Sequence, residues 1–284
     1  MIDKLNPDDR LGVVLFDDDA YLGKKLNLIS DTNTEAIKNH ILEIEPQGGT
    51  NFSEGYKEGT KLFKKYLDDK NYQNRIIVIT DAMPNSGDIT STGLIGMIKK
   101  NAEDKIYTSL IGVGVDFNTE LTEKISDVRG ANYYSVHSSS EFKKTLADEF
   151  DYMVTPLIFD LDLSFKSEDY EIENVYGTDS VNKTTGNIMH INTLFPSSSN
   201  SEGEVKGGIV VLKLKKKLES SSNNISLSIS YKDSKEQEHS NKEEVQFKQS
   251  TNDYYDNTGI QKAIVLARYV NTLKNWIIYE LSLI

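Results

Sequence analysis

The sequence predicts a three-layer α/β domain, then an antiparallel β-rich domain of sandwich type, then a C-terminal helix. Three observations point there. Up to residue 153, short continuous apolar runs alternate with helical patterns, as in βαβ units built on a parallel sheet. From residue 154 the period becomes two: Leu157, Phe159, Leu161, Leu163 and Phe165 alternate with Ile158, Asp160, Asp162 and Ser164. Beyond residue 256, Ile260, Ile264, Ala267, Leu273 and Ile277 recur on one side of a helix. The expected divisions are therefore 1–153, 154–255 and 256–284.

Leu11-Gly-Val-Val-Leu-Phe16 is a continuous apolar run and reads as a strand buried on both faces. Asp17-Asp18-Asp19 makes a hairpin turn into a shorter strand near Lys25 to Ile29. These acids lack the alternating ligands and glycine of an EF-hand loop. Ile37, Ile41 and Ile44 define a helix over 33–44, and Gly48-Gly49-Thr50-Asn51 interrupts the pattern. A second helix begins near Ser53, with Tyr56, Gly59, Leu62, Phe63 and Tyr66 on one face and Ser53 as the expected N-cap. Arg75 to Thr80 is the next buried strand and ends at Asp81. Then follow a helix near 91–100, the strand Ile106 to Val113, a helix near 119–128, the strand Asn132 to Val136, and a helix from Ser138 to Met153. In the second half, strands are expected near 157–165, 169–176, 187–193, 208–215, 225–231 and 243–249, with Ser/Asn-rich loops at 197–203 and 220–224.

Composition removes whole classes of function. With 284 residues the chain can bury sizeable cores, and no run approaches the ~20 apolar residues of a membrane-spanning helix. No signal peptide is visible in Met1 to Arg10. The net charge of −12 disfavours nucleic acid, which needs a concentrated cationic face. The one basic run, Lys213 to Lys217, is broken by Leu214 and reads as the solvated face of a strand. Cysteine is absent, which excludes disulfides, thiol catalysis and thiolate metal sites. His40, His137, His190 and His239 have no paired spacing. Gly112-Val-Gly-Val-Asp-Phe117 starts like a dinucleotide fingerprint, but Phe117 stands in the third glycine's place. No Walker lysine follows Gly48-Gly49, and no G-x-S-x-G elbow occurs. A non-enzymatic protein is expected.

Ligands of open α/β sheets bind where loops leave the carboxyl ends of the strands. Two such loops stand out. Asp81 closes the strand Arg75–Thr80 and opens Ala82-Met83-Pro84-Asn85, and Thr50 lies in a loop that Gly48 and Gly49 leave free for close backbone approach. A carboxylate and a hydroxyl are hard oxygen donors, suited to Mg²⁺ or Mn²⁺. The competing reading makes Thr50 a turn residue and Asp81 a loop acid bonded to nearby N–H groups.

The order Leu5-Asn-Pro-Asp-Asp-Arg-Leu-Gly-Val-Val-Leu-Phe16, Gly48-Gly-Thr-Asn51 and Ile79-Thr-Asp-Ala-Met-Pro-Asn85 resembles the von Willebrand factor type A (VWA) family over residues 1 to about 152. The later strands, Tyr176-Gly177 and the helix from Thr258 resemble bacterial members with a C-terminal β domain. Some of these are described as relatives of calcium-activated chloride channel regulators, a label of similarity that implies no channel activity. The resemblance implies a Rossmann-like fold and a divalent-cation site, the metal-ion-dependent adhesion site, built from three loops. It places Thr50 as the second-loop threonine and Asp81 as the third-loop aspartate. Gly48, Gly49, Asn51 and Ser53 form the supporting loop. In such proteins an acidic partner residue often completes the cation's coordination, which implies a protein partner. Full-length relatives imply an extracytoplasmic or cell-envelope setting.

One departure bears on all of this. The family's first loop, Asp-x-Ser-x-Ser, occurs nowhere in the chain. The strand before that loop sits, in the family, between the strands found here at 11–16 and 75–80. Its absence is expected to leave those two strands roughly 10 Å apart, twice the ~4.8 Å strand spacing, with edges that must pair with each other or with another chain. A chain truncated at both ends is the expectation, the alternative being a protein that folds with a shortened sheet, and with two protein ligands any cation is held weakly or not at all. The alternatives to a metal-linked adhesion module are a metal-independent scaffold and an accessory subunit of a chelatase- or ATPase-like system.

Overall fold

The computed structural model describes residues 1–45, 48–81, 93–114, 119–178, 181–182, 184–198, 207–218, 223–246 and 258–282. The expected Ala82–Asn85 turn, Phe117, and most of the Ser/Asn-rich loops lie outside the described residues. The chain divides into two compact units, residues 1–159 with 192–198, and residues 160–191 with 199–284.

The first unit is the α/β unit. Its parallel sheet has the order β3-β4-β5, from Asn74–Thr80, Ile106–Val113 and Asn132–Val136. β3 runs beside β4 from Asn74↔Ile106 to Thr80↔Gly112, and β4 beside β5 from Ser109↔Asn132 to Val136's partner Val113. Two layers of side chains cover it. On one face Val78 and Leu110 meet Phe52 and Tyr56 of α2 (Phe52–Lys61), Leu94, Ile95 and Ile98 of α3 (Leu94–Glu103), and Ile125 of α4 (Thr119–Ser126). On the other, Ile111 and Val136 meet Leu146, Phe150 and Met153. The three-layer expectation is met.

A separate hairpin pairs β1 (Arg10–Phe16) with β2 (Ala20–Leu28), from Arg10↔Leu28 to Phe16↔Ala20, with register shifts around Val13. β2 is therefore longer than the strand expected at Lys25 to Ile29. The turn 17–19 is tight enough to let pairing begin at once: Asp19 N–H reaches the Asp17 carboxylate at 2.9 Å. Among the described residues β1 pairs with β2 alone and β3 with β4 alone, so the two sheets do not join. Burial records the consequence. β4, with a neighbour on each side, is buried from Ile106 to Gly112, whereas β1 is half-buried along its whole length. An equally apolar run is thus half-buried because one of its edges carries no partner.

Helix caps follow local chemistry. Asn33 caps α1 (Thr34–Leu42) by accepting the Ala36 N–H. Asn51, rather than Ser53, caps α2: its Oδ1 accepts the Glu54 N–H at 3.3 Å, and its Nδ2 donates to the Glu54 carboxylate at 3.0 Å. The single helix expected from Ser138 to Met153 is α5 (Ser139–Lys143), a wider π turn over Lys144–Asp148, and α6 (Phe150–Val154). The wider turn lets Leu146, Phe150 and Met153 all enter one core.

The second unit is antiparallel. One sheet has the order β11-β10-β6-β8, from Glu238–Gln246, Asn224–Lys232, Ile158–Lys166 and Asn187–Leu194. The other pairs β7 (Tyr170–Tyr176) with β9 (Val211–Lys216). Phe165, Ile188 and Ile225 from the first sheet pack with Ile172 and Leu214 from the second, which is the expected sandwich. Gly177, at φ +92°, lies where a Cβ would stand 2.1 Å from the Ile209 carbonyl oxygen, so the Tyr176-Gly177 pair is fixed by backbone approach. Lys213 and Lys215 pair with Glu173 and Glu171 on β7, which fits the solvated-face reading of the basic run. The last helix, α7 (Thr258–Ser282), buries Ala267, while Ile260, Leu273 and Ile277 stay at least 40% exposed. Its expected apolar stripe is present but little used within this unit. Among the described residues no helix is long and apolar enough to cross a membrane.

Candidate functional site

β1 ends at the hairpin turn 17–19, β3 ends at Thr80 just before Asp81, and the loop 48–51 leads into α2. Residues of all three line one cavity. The turn holds the loop by three bonds. Gly49 N–H donates to Asp18 Oδ1 at 3.0 Å, Asn51 N–H to the Asp17 carbonyl at 2.5 Å, and Asn51 Nδ2 to the Asp18 carbonyl at 3.1 Å. Gly48 has φ +61°, and a Cβ there or at Gly49 would come within 2.6 Å of the Asp18 carboxylate. Gly48 is thus favoured by a left-handed backbone, and both glycines by the carboxylate packed on them.

Thr50 and Asp81 are both exposed and line the same cavity, along with Asp17, Gly48 and Gly49. Asn51 and Ser53 are half-buried, Asn51 as the cap and Ser53 inside the first turn of α2. The Asp17–Asp19 run is the hairpin turn expected of it. Its second role, anchoring the glycine loop some 30 positions on, was not read from the sequence. No local pattern signals it, because the partners are far apart in the chain.

The whole cavity, about 1830 Å³, is lined by residues of both β1 and β3. α2 forms part of its wall through Gly55, Tyr56, Gly59 and Phe63. Phe16 packs on Gly55, where a Cβ would meet its ring at 2.6 Å, and Leu62 Cδ1 lies 2.8 Å from a Cβ at Gly12. α2 therefore braces the hairpin on one side and Ile76 and Val78 on the other. Ile79, an apolar strand residue, is left 39% exposed beside the cavity.

Two buried polar groups flank this region. The Tyr56 hydroxyl lies 2.7 Å from Thr108 Oγ1 and accepts from Asn101 Nδ2 at 3.1 Å; burial pushes its pKa up to about 12. Arg75 Nη1 donates to Ser109 Oγ at 2.9 Å, and the guanidinium lies over the Tyr107 and Phe195 rings. Among the described residues its Nε and Nη2 are buried without a hydrogen-bond partner, and burial lowers its pKa to about 10. Sequence reading placed Arg75 merely at a strand start. A charged residue opening the run Ile76-Ile77-Val78-Ile79 was the available signal.

The donors fit a hard divalent cation in type but not in number. Thr50 and Asp81 supply a hydroxyl and a carboxylate, whereas the Asp18 carboxylate is engaged by the Gly49 N–H. Among the described residues no group of three or more His, Asp or Glu side chains is placed to hold a metal ion.

The family model described as the von Willebrand factor type A domain matches residues 1–148. The chain is 23% identical over 171 residues to inter-alpha-trypsin inhibitor heavy chain H2 of Homo sapiens, covering 58% of this chain and 18% of that protein. It is 28% identical over 166 residues to the uncharacterized protein YfbK of Escherichia coli (strain K12), covering 57% and 28%. It thus spans less than a third of the length of these relatives. Among solved structures, the von Willebrand factor type A protein from Catenulispora acidiphila superposes with a TM-score of 0.50 at 13% identity, covering 85% of this chain and 58% of that one.

Proposed function

The chain belongs to the von Willebrand factor type A family, whose members are generally protein-interaction modules, and on that premise we propose that it captures a protein partner at the rim formed by Thr50, Asp81 and the Gly48-Gly49 loop. The observation that carries this reading is the rim itself. The loop 48–51 is fixed by the 17–19 turn, so Thr50 is presented on a preorganised backbone, and it lines the same cavity as Asp81. Preorganisation lowers the ordering cost of binding.

Mg²⁺ or Mn²⁺ is the proposed linking ion. Thr50 Oγ1 and the Asp81 carboxylate would hold it, and when bound it supplies a positive charge that attracts an acidic partner side chain. Two protein ligands leave most of an octahedron to water and to the partner, so affinity in this chain alone is weak. The protein performs no proposed chemistry beyond binding. A second reading is favoured by the short donor set: the same rim binds a partner through packing and hydrogen bonds without a cation. Titration calorimetry with MgCl₂ and MnCl₂ separates the two, with Asp81→Ala and Thr50→Ala as controls. Heat that saturates in the native chain and vanishes in both variants supports the metal-linked reading; identical traces in all three proteins leave the metal-independent one.

A further inference from the structure

The helix α7 carries two apolar rows and covers only one of them within its own unit. Ala263, Ile264, Ala267 and Asn271 make up its covered side, whereas every residue from Thr272 to Ser282 is exposed. The second row is Ala263, Leu266, Val270, Leu273 and Ile277, at alternating spacings of three and four residues. At ~100° per residue, this row is centred roughly a quarter turn from Ala267. Such spacing is the a/d seam of a coiled coil, with Val270 and Ile277 at a, and Leu266 and Leu273 at d. β-Branched residues at a with leucine at d favour two parallel helices. The flanking positions agree. In a parallel pair, Tyr269 at g meets Lys274 at e of the other helix, a cation–π match, and Trp276 at g meets Leu281 at e. Glu280 takes the next d position and closes the seam.

We propose that α7 is a dimerisation helix, and that its open row is covered by α7 of a second copy of this chain, parallel and in register over Leu266 to Ile277. The available area fits. Leu266, Tyr269, Val270, Leu273, Trp276 and Ile277 are each between 40% and 64% exposed. At ~200 Å² for a large side chain, six half-exposed ones offer roughly 600 Å² per copy, and two faces reach about 1200 Å², where specific interfaces begin. Tyr269 and Trp276 are the large aromatic anchors of the kind that carry interface energy, and each has an apolar or cationic counterpart across the pair. A membrane surface would accept the same apolar residues but sets no requirement for β-branched side chains at a and leucine at d. The dimer is independent of any partner or cation at Thr50 and Asp81.

Sedimentation equilibrium of the full chain from about 1 to about 100 µM tests this, a range that brackets the weak end for an interface of this size. The expected result is a reversible shift to twice the mass of the chain. Leu273→Glu should hold the chain at a single mass throughout. Tyr279→Glu removes a more exposed side chain from the opposite side of the helix and should leave the dimer intact. Circular dichroism checks that both variants stay folded. Introduced cysteines then read the orientation, since the chain has none of its own. Leu266→Cys and Leu273→Cys should each form an interchain disulfide in a glutathione redox buffer, and Thr272→Cys should not. An antiparallel pair centred on one of the two leucines would hold the other about 21 Å from its copy, too far to link. A single mass at every concentration overturns the proposal, as does a dimer that survives Leu273→Glu or is lost equally in Tyr279→Glu. Linking at only one of the two leucine positions also overturns it. A chain of single mass that binds phosphatidylglycerol vesicles through α7 would make the same face a membrane-surface helix instead.

Discussion

The Asp18 carboxylate accepts the Gly49 N–H at 3.0 Å and so ties the β1–β2 turn to the loop that presents Thr50. Hydrogen bonds to charged groups contribute more than neutral ones, but this bond is exposed and partly screened. Asp18→Ala is expected to lower stability by about 1 kcal/mol in urea denaturation. Gly48→Ala should cost more than that, because it adds a clash with Asp18 to a left-handed backbone.

Tyr56 gives a pH prediction. Its folded pKa, about 12, lies above the ordinary tyrosine value, so the protein is favoured while the hydroxyl is neutral. That contribution is complete below pH ~10 and is lost as pH rises from there through about 12, amounting to roughly 2–3 kcal/mol. Denaturant midpoints measured from pH 9 to 12 should fall more steeply for the native chain than for Tyr56→Phe. At neutral pH the same variant should lose about 1–3 kcal/mol, since Thr108 and Asn101 are left without their shared partner.

Arg75 gives a prediction of opposite sign. A guanidinium with two buried, unpartnered nitrogens costs more in desolvation than one bond to Ser109 and two ring contacts return. Arg75→Met is expected to raise the melting temperature of the free chain, equivalent to about 1–3 kcal/mol. A fall of similar size would mean that an acceptor already pairs with Arg75.

Matched truncations compare the closed and open strands. Ile111 on β4 is fully buried, and Ile111→Ala should cost about 2–5 kcal/mol. Ile79 on β3 is 39% exposed, and Ile79→Ala should cost about 1 kcal/mol or less. Equal losses would place Ile79 in a closed sheet.

Much of this was legible in the sequence where burial and periodicity agree. β4 falls at Ile106–Val113 as expected, because a fully buried parallel strand announces itself as an apolar run, and β5 falls at Asn132–Val136 as expected although only Val136 in it is buried. The Asn51 cap was misassigned to Ser53, since both residue types cap helices and the choice depends on where the tether to Asp17 stops the chain. The split of the last α/β helix was not visible either: apolar spacing across Leu146, Phe150 and Met153 looks the same with or without a wide turn. β1 was legible as a strand but not as a half-buried one, because apolarity records what a segment can bury and the neighbours decide what it does bury.

The split between β1 and β3 underlies the account, and amide hydrogen exchange of the free monomer tests it most directly. The account predicts full protection along Ser109–Gly112, bonded on both edges, and only alternate protected amides in Leu11–Phe16 and Arg75–Thr80, each bonded on one. Uniform protection of all three strands in a monomer would contradict it.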